Sequence, residues 1–67
     1  MTTEPTNAEI ATELRRELSY RERVYPRWVQ EGRLDHAVAN RRNAALHAAV
    51  RHFSALAEAD RAKGRLL

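Results

Sequence analysis

The chain has no cysteine, and glycine and proline occur only twice each. The first absence excludes a disulfide framework, a thiolate metal site and a cysteine nucleophile. The scarcity of helix breakers argues against a loop-rich or β-turn-rich fold. Aromatic residues are few: one Trp, two Tyr and one Phe. No apolar run approaches the roughly 18 residues of a membrane span, so no membrane partner is expected. There is no glycine-rich phosphate loop, and Ser19 and Ser54 have no evident elbow or base to activate them. Neither enzymatic activity nor a cofactor is expected. The first seven residues, Met1 to Asn7, are polar and carry an acid, unlike the basic-then-apolar pattern of a secretory signal. That pattern and the Arg/Ala bias point to a bacterial cytoplasm and a GC-rich genome.

What is present is helix-forming sequence. The 67 residues are rich in Ala, Leu, Glu and Arg, Arg far exceeds Lys, and the net charge is +3. This reads as one all-α domain over 7–67, preceded by a disordered tail over 1–6. Thr6-Asn7-Ala8-Glu9 has the form of a capping box, so helix 1 begins near Asn7. Ile10, Leu14, Leu18, Tyr25, Trp28 and Val29 then share one face at the helical period. Pro26 interrupts the ladder but not the stripe. Either helix 1 runs to about Glu31 with a kink near Pro26, or it stops near Val24 and Pro26 starts a short helix. The unbroken stripe favours the kinked helix. Gly32 supplies the left-handed residue past its end.

Asp35 is a good N-cap for helix 2, and Leu34 with Ala39 can form a hydrophobic staple. Helix 2 is expected to reach about Lys63, with Gly64 as its stop. Two long helices of matched length predict an antiparallel helical hairpin. Leu34, Val38, Leu46, Ala49, Val50, Phe53 and Leu56 form the apolar stripe of helix 2. Beside it runs a track of small residues: Ala37, Ala44, Ala48, Ala55, Ala59 and Ala62. Alanine is the best helix former, which explains the track locally. The functional reading is a dimer interface at Ala37, Ala44, Ala48, Ala55 and Ala59. A lone helical pair leaves much of each helix wet, so a homodimer in a four-helix arrangement is expected. Arg21 and Arg42 fall inside the apolar stripes and should snorkel or meet an acid, with Glu17 and Glu22 within reach.

His36, His47 and His52 are the only histidines. Their spacing does not place two ligands on adjacent turns of one face, and no acid cluster completes a site, so no metal is expected. From Arg15 to Arg33 six arginines stand against three glutamates. Tyr20, Tyr25 and Trp28 lie among them, a combination that suits phosphates and base stacking. Against nucleic acid, the glutamates dilute the patch, Tyr25 and Trp28 lie on the inward stripe, and two long helices do not make a helix-turn-helix reader.

The stretch Arg23-Val24-Tyr25-Pro26-Arg27-Trp28-Val29, followed by Gly32-Arg33-Leu34 and by Ala39 and Arg42, resembles a family of small proteins encoded by tailed bacteriophages and prophages. The resemblance covers roughly residues 13–56. Its Tyr-Pro-x-Trp-Val core is fairly specific, whereas the Ala-rich helix is not. Asp35 stands where Thr or Ser often begins the second helix, which keeps the capping logic. The resemblance implies a phage origin and a helical hairpin rather than a reaction. By analogy with small phage accessory factors, it suggests a protein that binds a host bacterial protein and inhibits or modulates it. Trp, Tyr and Arg are the residue types enriched at interface hot spots, which marks Tyr20, Arg23, Arg27, Trp28 and Arg33 as the expected partner contacts. The alternatives are a nucleic-acid-binding accessory protein using the Arg15–Arg33 face and a structural oligomerising hairpin in a phage assembly.

Overall fold

The computed structural model describes residues 4–65. Of the expected tail, residues 1–3 lie outside the described residues, as do residues 66 and 67. Two helices, α1 (Asn7–Gln30) and α2 (His36–Arg65), form an antiparallel hairpin. Asn7 reaches Asp60, Arg15 reaches Ser54 and Arg21 reaches the Arg42 carbonyl, which fixes the direction of pairing.

The start of α1 is set by local chemistry. Thr6 Oγ1 accepts from the Glu9 amide at 3.1 Å, and Glu9 Oε1 accepts from the Thr6 amide at 2.9 Å. Two amides without helical partners are thereby satisfied. Hydrogen bonding by the Thr6 backbone first, and by the Thr6 side chain second, holds the Glu9 carboxyl below its ordinary value of 4.5. A lowered folded pKa means that the contribution is complete above the ordinary value and is lost as pH falls through the lowered one. The first turn of α1 is therefore expected to fray below pH 4.5. Cα chemical shifts over residues 7–10 report it, and Glu9→Gln should remove the acid-dependent step. Identical titration curves for both proteins would refute the link.

At the other end, Gly32 has φ 74°. Its amide donates to the Val29 carbonyl at 3.1 Å and the Arg33 amide to the Trp28 carbonyl at 2.8 Å. This paired closure ends α1 and turns the chain. A Cβ on Gly32 would meet nothing within 4 Å, so glycine is required there by backbone conformation alone. Asp35 Oδ2 then accepts from the Ala37 and Val38 amides at 3.0 and 3.2 Å and opens α2. Leu34 and Ala39 pack in one apolar cluster, as the staple requires.

Helix α1 runs through Pro26 as a single element and does not stop near Val24. The Gly64 stop is overturned: α2 continues to Arg65, and Gly64 is not left-handed. One glycine costs a helix about 1 kcal/mol, too little to end a helix of 30 residues.

The helices meet along two seams spaced alternately by four and three residues, the pattern of a coiled coil. On α1 the seam is Asn7, Ala11, Leu14, Leu18, Arg21, Tyr25 and Trp28, and on α2 it is Ala39, Asn43, Leu46, Val50, Phe53 and Ala57. Its tightest points are alanines: Ala11 is 1% exposed, and Ala39 and Ala57 are each 4% exposed. Val38 and Leu56, placed on the core stripe from sequence, are 41% and 37% exposed. The seam's tighter period selects their neighbours, Ala39 and Ala57, and leaves these two beside it.

Arg21 occupies a seam position and meets an acid as expected. Its Nε donates to Glu17 at 3.0 Å, and its Nη1 donates to the Arg42 carbonyl at 3.1 Å. Arg42 itself is exposed. On the facing seam the Oδ1 of Asn43 is enclosed without a hydrogen-bond donor. Polar groups at these levels penalise any slip of one helix along the other.

The molecule is a slab of 53 × 22 × 14 Å with a radius of gyration of 15.6 Å. A compact chain of this length would have about 11 Å. One layer of two helices leaves both broad faces in water.

Candidate partner-binding surface

The turn end of the hairpin gathers rings and guanidinium groups. Tyr25 and Trp28 stand on successive turns of α1, and Tyr20 reaches Trp28 from two turns away, so the three rings meet along the helix. Tyr25 and Trp28 have centroids 5.7 Å apart, and Tyr20 meets Trp28 edge-on at 6.4 Å. Each ring also carries an arginine: Arg21 on Tyr25 at 5.5 Å, Arg23 on Tyr20 at 5.8 Å and Arg33 on Trp28 at 5.2 Å. All three are within the distance at which a cation is attracted by a ring face. Arg33 also meets Glu31 at 3.4 Å.

Of the five residues expected to contact a partner, four thus belong to one stacked chain, Arg23–Tyr20–Trp28–Arg33. Arg27 lies in the last turn of α1, exposed, and does not join the stack. Tyr20 is 43% exposed, while Trp28 is half-buried and Tyr25 only 7% exposed. Tyr25 and Trp28 therefore anchor the stack in the core, and Tyr20 with Arg23 and Arg33 presents it to solvent. Arg21 ties the stack to α2 through the Arg42 carbonyl. Its place on the α1 stripe hinted at this, but a bond to a backbone carbonyl leaves no trace in sequence.

The rest of the turn end adds positive charge. Arg41 and Arg42 lie at this end on α2, and α2 has no acid in its first turn. The opposite end carries Glu9, Glu13, Glu58 and Asp60 together with Arg15, Arg16 and Arg61. Ala37, Ala44, Ala48, Ala55 and Ala59 are all exposed in the hairpin.

Among the described residues no group of three or more His, Cys, Asp or Glu could hold a metal ion. His52 stacks edge-on against Phe53 at 5.1 Å, and Ser54 accepts from Arg15 at 2.6 Å. Among the described residues no helix is long and apolar enough to cross a membrane. Two grooves flank the seam near the turn, one lined by Arg21, Tyr25, Arg42, Ala45, Leu46 and Ala49, the other by residues including Glu22, Pro26, His36 and Asn40. Both are shallow and open. The arrangement suits contact with a macromolecular surface rather than enclosure of a small substrate.

Comparison with known protein families, curated proteins and solved structures gives no match.

Proposed function

We propose that this chain is a homodimeric accessory protein of phage or prophage origin that binds a host bacterial protein in the cytoplasm and inhibits or modulates it. The observation that carries the reading is the Arg23–Tyr20–Trp28–Arg33 stack at the turn end. Aromatic and arginine side chains held in place before contact lose little entropy on binding, and these residue types dominate interface hot spots. The excess of arginine there suits a partner surface that is acidic. The likeness of the Tyr25-Pro26-Arg27-Trp28-Val29 core to small phage proteins supports the origin. One observation favours a second reading: Tyr20 offers an exposed ring beside Arg23, which would also suit stacking on a nucleic-acid base.

The test is retention of a bacterial lysate on the tagged protein, with and without nuclease, beside an Arg33→Glu variant. Arg33 has a largely exposed side chain, so the change leaves the hairpin folded. A single host protein that survives nuclease, and whose affinity falls about tenfold or more with Arg33→Glu, is expected. Partners released by nuclease would replace this reading with the nucleic-acid one. A partner indifferent to Arg33→Glu would place recognition elsewhere.

A further inference from the structure

Each helix carries a second seam beside the one that closes the hairpin. On α1 it comprises Ile10, Glu13, Glu17, Tyr20, Val24 and Arg27, of which Val24 is already buried in the hairpin core, and on α2 Val38, Arg42, Ala45, Ala49, His52 and Leu56. The spacing again alternates between three and four. Both seams lie on the same broad face. The opposite flank is identified by the groove that brings Thr12 and Arg15 together with Ser54, Glu58 and Arg61. Tyr20, Val38 and Leu56, the large apolar side chains most exposed among the described residues, all belong to this second pair of seams.

We infer that the occupant of this face is a second copy of the chain, laid with its α1 antiparallel to the first α1 and the two-fold axis at the level of Tyr20. Charge selects this occupant. Glu13, Tyr20 and Arg27 are seven residues apart in turn and line up along one edge of α1. A two-fold at Tyr20 sets Tyr20 beside its own copy and brings Glu13 of each chain to Arg27 of the other. The surface is self-complementary, as an isologous interface must be. Area agrees: a face of 53 by 22 Å can supply the roughly 800 Å² per partner of a standard interface. The intrahelical pair of Glu13 with Arg16 is no obstacle, since both side chains are at least 70% exposed and such pairs are weak.

The inference rests on the homodimer reading and specifies its geometry. It assigns Tyr20 and Arg27 to the contact between copies and leaves Arg23, Trp28 and Arg33 for the host protein. Sedimentation equilibrium of the full chain, with helicity checked by circular dichroism, tests it. Glu13→Arg alone and Arg27→Glu alone should each weaken the dimer about tenfold, because each places like charges together twice. The double swap should restore it. Tyr20→Glu sets two carboxylates at the axis and should abolish it. A wild-type chain that stays monomeric overturns the homodimer reading and this geometry together. A wild-type dimer indifferent to both single reversals overturns the geometry alone. Loss of the dimer with Ala48→Glu and Ala55→Glu, but not with the reversals, also overturns it and moves the contact to the alanine track.

Discussion

Replacing Tyr25 with alanine is expected to unfold the hairpin near room temperature. Tyr25 is 7% exposed and forms the centre of the apolar cluster with Val24 and Ala39, against which Trp28, Val29 and Leu34 pack. Its ring also supports Trp28 on one side and the Arg21 guanidinium on the other. Removing a buried aromatic ring costs about 3–5 kcal/mol. A small single-core domain has roughly that much stability in total. Neighbouring alanines cannot close the gap, because Ala39 sits at a point where the helices already approach closely. Tyr20→Ala, melted at a chain concentration where the dimer has dissociated, is the control: the same residue type on the same helix, but 43% exposed in the single hairpin. It should cost on the order of 0.5–1 kcal/mol. Circular dichroism melts of the two variants decide the matter. If both melt within a few degrees of the wild type, the core has been misplaced.

Pro26→Ala is expected to act in the opposite direction and stabilise the fold. Pro26 lies inside α1, is exposed, and has no amide to give to the Glu22 carbonyl four residues back. A proline in a helix interior is about 3 kcal/mol worse than alanine, from the lost hydrogen bond and the clash with that carbonyl. Part of this is returned because proline also restricts the unfolded chain. A net gain of about 1–3 kcal/mol remains, which for a domain of this size raises the melting temperature by roughly 5–20 °C. An unchanged or lower melting temperature would mean that the Pro26 ring contributes packing that offsets its backbone cost. A more stable variant that no longer binds its partner would mean that the residue serves recognition, through the groove it shares with Glu22, His36 and Asn40.

The features legible in the sequence were those decided within a few residues. The Thr6–Glu9 box, the Gly32 reversal and the Asp35 cap each depend on side chains and backbone no more than five residues apart, so their spelling suffices. The continuity of α1 through Pro26 was legible because the apolar stripe spans it. Arg21 meeting Glu17 was likewise readable from spacing. The seam was not. Weighting large side chains at the free-helix period favours Val38 and Leu56, whereas the paired helices place Ala39 and Ala57 at the closest contact. Which of many alanines is buried depends on the rotation of α2 against α1, a long-range property. The stack at the turn end was half legible: its residue types and crowding were visible, but the division into buried anchors and exposed tips was not. Gly64 misled because a glycine that keeps helical backbone angles costs too little to end a helix.

The turn closed at Trp28 and Gly32 has a consequence for how the molecule opens. Every contact between α1 and α2 nests inside the next one out, from Tyr25 with Ala39 near the turn to Asn7 with Asp60 at the far end. With the turn already made, each further pair closes a loop only slightly longer than the last, so its added entropic cost is small. Contact then spreads outward as a zipper, and loss of contact runs inward from the open end. Amide exchange should record this as a gradient, slowest beside the Tyr25 cluster and fastest near Asn7 and Asp60. A force applied between the two ends of the chain would meet the outermost contacts first and peel the helices apart one pair at a time, with the tightened turn the last to yield.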